Sequence, residues 1–120
     1  MTPEEIRRKQ EEIRSHNDAI LSKLDFATLL VEYQHGERTT GRGNVFINLV
    51  CLLLYLRRTD KRAWPHTWIV TELGEPDRTE EADEHIGMHY RMKYPECKCE
   101  REHWAELRLK HGHLVGFSTY

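Results

Sequence analysis

Long apolar runs are missing from this sequence. Nowhere in its 120 residues is there a stretch approaching the roughly 18 apolar residues that would suggest a bilayer span, so insertion into a membrane is not expected. Cysteine is scarce. An odd count of three, with Cys97 and Cys99 two positions apart, makes no disulfide framework and fits a reducing compartment. The start, Met1-Thr2-Pro3-Glu4-Glu5, has no basic segment followed by an apolar one, so no secretory leader is read there and the cytoplasm is the expected location. An excess of one charge is lacking too. With 18 basic and 20 acidic residues and a formal charge of −2, the chain is not biased toward neutralising phosphates, and nucleic acid is not an expected partner.

Catalytic motifs are equally sparse. Ser15, Ser22 and Ser118 sit in no Gly-x-Ser-x-Gly context, and Cys51 lies inside an apolar segment, where thiols are usually inert. The loop Gly36-Glu37-Arg38-Thr39-Thr40-Gly41-Arg42-Gly43 precedes a helix as a phosphate cradle does, but the lysine followed by serine or threonine is absent. The reading is a flexible linker, and no enzyme is expected.

What is present is architecture. Hydrophobic residues make up 38% of the chain against 32% charged, which allows one small core and one domain over 1–120. Thr2 as N-cap, Pro3 in the first helical position and Glu5 closing a capping box start a helix expected to run to about Leu24. Its apolar stripe is thin: Ile6, Ile13 and Ile20 recur every seven residues, Gln10 and Asn17 fill the complementary positions, and Leu24 continues the seam. This helix either docks on the domain or pairs with a copy of itself in a homodimer. Residues 25–34 are apolar without a clean period and either extend the first helix or form a short strand; helix is the preferred reading, which takes the helical region to about 35. After the glycine-rich loop 36–44, with Asn44 as N-cap, a helix pair covers 45–74. Its first member, Val45 to Leu56, is apolar on nearly all sides and ends at Arg57 and Arg58. The second starts at Pro65, carries Trp68, Ile69 and Leu73, and stops at Gly74.

Thr79 to Glu84 holds four acids in six residues and reads as a solvated loop. Beyond it the periodicity changes to two. Ile86, Met88, Tyr90, Met92 and Tyr94 alternate with Gly87, His89, Arg91 and Lys93 until Pro95. Trp104 to Leu109 makes a second strand, and Val115, Phe117 and Thr119 mark a third. The expected fold class is α+β, with amino-terminal helices and a buried central helix packed on a three-stranded antiparallel meander over 85–120. A two-residue turn at His111-Gly112 would mix the two faces of the last pair. A three-residue loop, Lys110 to Gly112, pairs Leu107 with Val115 and Ala105 with Phe117, and is the expected connection.

Leu73-Gly74-Glu75-Pro76-Asp77, the strand around Tyr90, and Leu107-x-Leu109 leading through His111-Gly112 to Leu114 resemble the SmpA/OmlA (BamE-like) modules and the β-lactamase inhibitor protein repeats. In those families a helix pair, a Leu-Gly-x-Pro stop and a meander follow in that order. The resemblance spans residues 64–120, less than half of the chain, and implies a non-enzymatic unit that offers a concave sheet to protein partners. Unlike the lipoprotein members, this sequence shows no signal with a cysteine to acylate.

Two groups of residues are candidate sites. On the outer face of the expected sheet, Trp104, Arg108, Arg91, His89 and Glu106 form a mixed aromatic and charged surface suited to a protein partner, because aromatics and arginine are enriched in binding hot spots. Metal is the contrasting reading. Cys97, Cys99 and His103 cluster at one end of the meander and His85, His111 and His113 at the other. A seven-residue strand separates these ends by roughly 23 Å, so no single zinc ion uses both. Cys-x-Cys is not the usual zinc spacing.

Overall fold

In a computed structural model, residues 2–93 and 102–120 are described. Five helices precede four strands: α1 (Pro3–Leu21), α2 (Phe26–His35), α3 (Glu37–Thr40), α4 (Asn44–Thr59), α5 (His66–Leu73), β1 (Arg78–Ala82), β2 (His85–Met92), β3 (His103–Lys110) and β4 (His113–Thr119). The strands form one antiparallel sheet in the order β1-β2-β3-β4, confirming the α+β class. No helix among the described residues is long and apolar enough to cross a membrane.

The capping box at Thr2 is formed, the threonine hydroxyl accepting from the Glu5 amide and the Glu5 carboxylate accepting from the Thr2 amide. The helix stops at Leu21, three residues early, because Asp25 caps a separate helix: its carboxylate accepts from the Thr28 amide at 3.1 Å. No residue of α1 is buried. Its carboxy-terminal end is held by Asp18, which accepts two hydrogen bonds from the Arg58 guanidinium of α4 at 2.7 and 2.9 Å.

The glycine-rich segment is not a plain linker. It contains α3, whose Glu37 carboxylate accepts from the amides of Gly43, Val45 and Phe46 at 2.8 to 3.2 Å. The amino terminus of α4, an anion site by its dipole and free amides, is thus filled by the chain's own carboxylate. Gly43 takes the N-cap place expected of Asn44. A side chain at 43 would collide with the Lys93 carbonyl, at 2.8 Å from the ideal Cβ.

α4 buries Phe46, Leu49, Val50, Leu52 and Leu53 against α2, α5 and the inner face of the sheet, where Met88, Tyr90, Met92, Ala105, Leu107, Leu109 and Leu114 lie buried. The buried tyrosine and tryptophan polar groups of the inner layer are satisfied. Tyr33 donates to the Leu73 carbonyl at 2.5 Å, Tyr90 to the Gly74 carbonyl at 2.9 Å, and Trp64 through Nε1 to the Leu53 carbonyl at 2.8 Å. Arg42 lies 4.6 Å over the Tyr90 ring, donates to Tyr33 Oη and the Glu75 carbonyl, and pairs with Asp77 at 3.5 Å. The helix-stop segment is therefore fastened to both layers.

Two expectations need correction. The sheet has four strands, not three, and begins at Arg78: the acidic stretch from Thr79 is mostly strand. Asp83 adopts a positive φ of 52°, which permits a two-residue turn between Ala82 and His85. All five residues of β1 are exposed, and a charged edge strand of this kind resists pairing with other chains. The β3–β4 register also differs. His111 and Gly112 alone form the turn, both with positive φ (52° and 78°), as a type I′ hairpin requires. A bulge after Leu114 then restores the faces, so that Leu107 opposes Phe117 and Arg108 opposes Gly116. Tyr94 and Pro95 lie outside the described residues.

Candidate functional site on the outer face of the sheet

The helices cover one face of the sheet; the other carries Arg78 and Glu80 from β1, Gly87, His89 and Arg91 from β2, Trp104, Glu106 and Arg108 from β3, and Gly116, Ser118 and Tyr120 beside them. Alternation puts these residues together: Arg78 opposes His89, which opposes Glu106, which opposes Ser118. Trp104 and Tyr120 exchange backbone hydrogen bonds at 2.8 and 2.9 Å. Their rings stack with centroids 6.5 Å apart and planes 7° from parallel.

Cations frame that stack. The Arg91 and Arg78 guanidinium carbons stand 5.2 and 5.7 Å from the Trp104 ring centroid. Arg91 also pairs with Glu102 at 3.5 Å, and the Trp104 Nε1 group donates to the same carboxylate at 3.3 Å. Each contact is worth about 0.5–1 kcal/mol at an exposed site. Together they hold Trp104 half-exposed in one orientation, so little side-chain freedom remains to be lost on binding.

The expected outer-face residues Trp104, Arg108, Arg91, His89 and Glu106 do share this face. His89, however, is not solvated. Tyr120 and the flanking carboxylates cover it, leaving it 3% exposed. Its Nδ1 shares a 2.6 Å hydrogen bond with Tyr120 Oη, which also accepts from Arg78 at 3.2 Å. Among the described residues Nε2 has no hydrogen-bond partner, and it stands 3.5 Å from Glu106 and 3.7 Å from Glu80. Gly116 leaves room for Arg108, whose guanidinium a Cβ at 116 would meet at 2.8 Å, and a Cβ at 87 would sit in ordinary contact with His89 Nε2. The Nδ1–Tyr120 Oη hydrogen bond and an edge-on contact between the two rings, 5.8 Å between centroids, orient the imidazole beneath the aromatic cluster.

Arg78, Glu80 and Tyr120 were not among the expected site residues. Arg78 and Glu80 were missed because β1 has no apolar alternation to mark it as a strand; their spacing of two was the available signal. Cys97 and Cys99 lie outside the described residues. His103 begins β3, opposite Met92 at the end of β2. At the opposite end of the sheet His111 pairs with Glu84 at 3.3 Å, and His113 Nδ1 lies 3.0 Å from the His111 carbonyl. Among the described residues no three histidine, cysteine, aspartate or glutamate side chains are arranged to hold a metal ion. Cys51 is half-buried on α4, and burial pushes its thiol above the ordinary range, which lowers its thiolate fraction. The inner side of β1 overhangs α5, where His66, Thr67, Val70, Thr79 and Glu81 line an open cleft of about 520 Å³.

Compared with protein-family models, curated proteins and solved structures, the chain matches none of them.

Proposed function

We propose that this protein is a non-catalytic interaction module that binds a protein partner through the outer face of its sheet. The carrying observation is the Trp104–Tyr120 stack framed by Arg78 and Arg91 on the face that no helix covers. Tryptophan, tyrosine and arginine are the residue types that dominate binding hot spots, most strongly when packing has already oriented them. Charges of both signs surround the stack. Arg78, Arg91 and Arg108 alternate with Glu80 and Glu106, a pattern that selects a partner of defined polarity and fits no uniform polyanion. The resemblance of residues 64–120 to BamE-like and β-lactamase inhibitor protein modules supports the same assignment, since those modules present a sheet to proteins.

The test is affinity capture from the native host with the wild-type chain, a Trp104→Ala/Arg78→Ala variant and a Thr71→Ala control on the helical side. The reading expects a protein retained by wild type and control and lost by the outer-face variant, with thermal unfolding showing both variants folded. Retention by the outer-face variant would overturn it.

A further inference from the structure

The structure leaves a second surface unused. Ile6, Ile13 and Ile20 on α1 are 43%, 62% and 50% exposed, so the seven-residue stripe stays largely open to solvent until Leu24, which packs on the core. The helix is anchored elsewhere. Asp18, half-buried against Arg58, points away from the stripe by the helical repeat of 3.6, and Leu21 meets the core only at the carboxy-terminal end of one flank.

The residues beside the stripe are sorted by charge at the same period. Lys9, His16 and Lys23 follow the isoleucines by three positions, and Arg7 and Arg14 follow them by one. In heptad terms these are the two flanks of the seam, where interhelical ion pairs form. The acids lie behind: Glu4, Glu11 and Asp18 form one series and Glu5 and Glu12 the next. Two copies of α1 packed seam to seam would set basic flank against basic flank in either direction, parallel or antiparallel. Self-pairing is therefore opposed, and an acidic flank is what the surface complements. Gln10 and Asn17 fill the remaining seam positions and cost stability while fixing register.

We infer that the isoleucine face of α1 docks an amphipathic helix of another protein whose apolar seam is bordered by glutamate or aspartate. This surface is separate from the outer sheet face and holds or fails independently of it.

The probes are two synthetic three-heptad peptides with leucine at the seam, one with glutamate on both flanks and one with lysine. Fluorescence anisotropy with the full chain should show the acidic peptide binding about tenfold or more tightly than the basic one. Ile13→Ser should weaken the acidic peptide by a similar factor, and Arg7→Glu/Arg14→Glu, which reverses one of the two flanks, should abolish most of the preference. Because α1 contributes no buried residue, these variants keep the thermal unfolding of the wild type. Equal binding of the two peptides, or undiminished binding by Ile13→Ser, would overturn the inference. So would a dimeric mass by light scattering that Ile13→Ser converts to monomer, which would make the occupant a second copy. Tighter binding to phosphatidylserine vesicles than to the acidic peptide would make it a lipid surface and overturn it equally.

Discussion

The two faces of the sheet are made by the same strands, yet they handle aromatic rings in opposite ways. On the inner face Tyr90 is fully buried, packed at a tilt against Phe46 with centroids 5.3 Å apart, and its hydroxyl donates to the Gly74 carbonyl. On the outer face Trp104 and Tyr120 stay half-exposed, and guanidinium groups rather than apolar side chains hold them. One arrangement stabilises the fold and the other leaves oriented rings available. Leu107 and Arg108, neighbours on β3, stand at the two extremes: one is completely buried, the other exposed across Gly116.

Substitutions along these strands should separate the faces. Leu107→Ala empties a fully packed position, and urea unfolding should show a loss of about 2–5 kcal/mol. A loss below about 1 kcal/mol would mean that the inner face is not the core. Tyr90→Phe comes next, at about 1–2 kcal/mol near neutral pH, because the Gly74 carbonyl loses its donor. Burial pushes the Tyr90 and Tyr33 phenols above the ordinary tyrosine range. A proton acid held neutral in the fold contributes stability below its unfolded value, about 10 for tyrosine, and that contribution is lost as pH rises beyond it. The wild type should therefore weaken through alkaline pH, and Tyr90→Phe should weaken less steeply. Parallel alkaline profiles would contradict the assignment.

On the outer face the effects shrink. Trp104→Ala should cost about 1 kcal/mol, because its stack and two cation–π contacts are solvent-exposed and share one ring, so their contributions do not add in full. Arg108→Ala should stay within about 0.5 kcal/mol. If Trp104→Ala destabilised the protein as much as Leu107→Ala, the outer cluster would be a second core and not a recognition surface.

Much of this division was legible in the sequence, because a strict period of two sorts Met88, Tyr90 and Met92 onto one face and His89 and Arg91 onto the other. The central helix was legible for a different reason: twelve residues from Val45 with one clear polar interruption leave no face for solvent. β1 was hidden since an edge strand whose five residues are all exposed carries no apolar signal. The β3–β4 register was hidden because the bulge after Leu114 adds one residue without marking itself in composition. Burial of His89 could not be read from its strand at all. It arises from Tyr120 and from the Glu80 and Glu106 carboxylates, neighbours that only the register brings together.

Site-specific photocrosslinking in the native host tests the outer-face assignment most directly. A photoreactive residue placed at Glu80 or Arg108, compared with the same residue at Arg57 or Thr71, should capture one protein from the sheet positions and none from the helical ones. Capture of that protein from Arg57 or Thr71 alone would contradict the assignment.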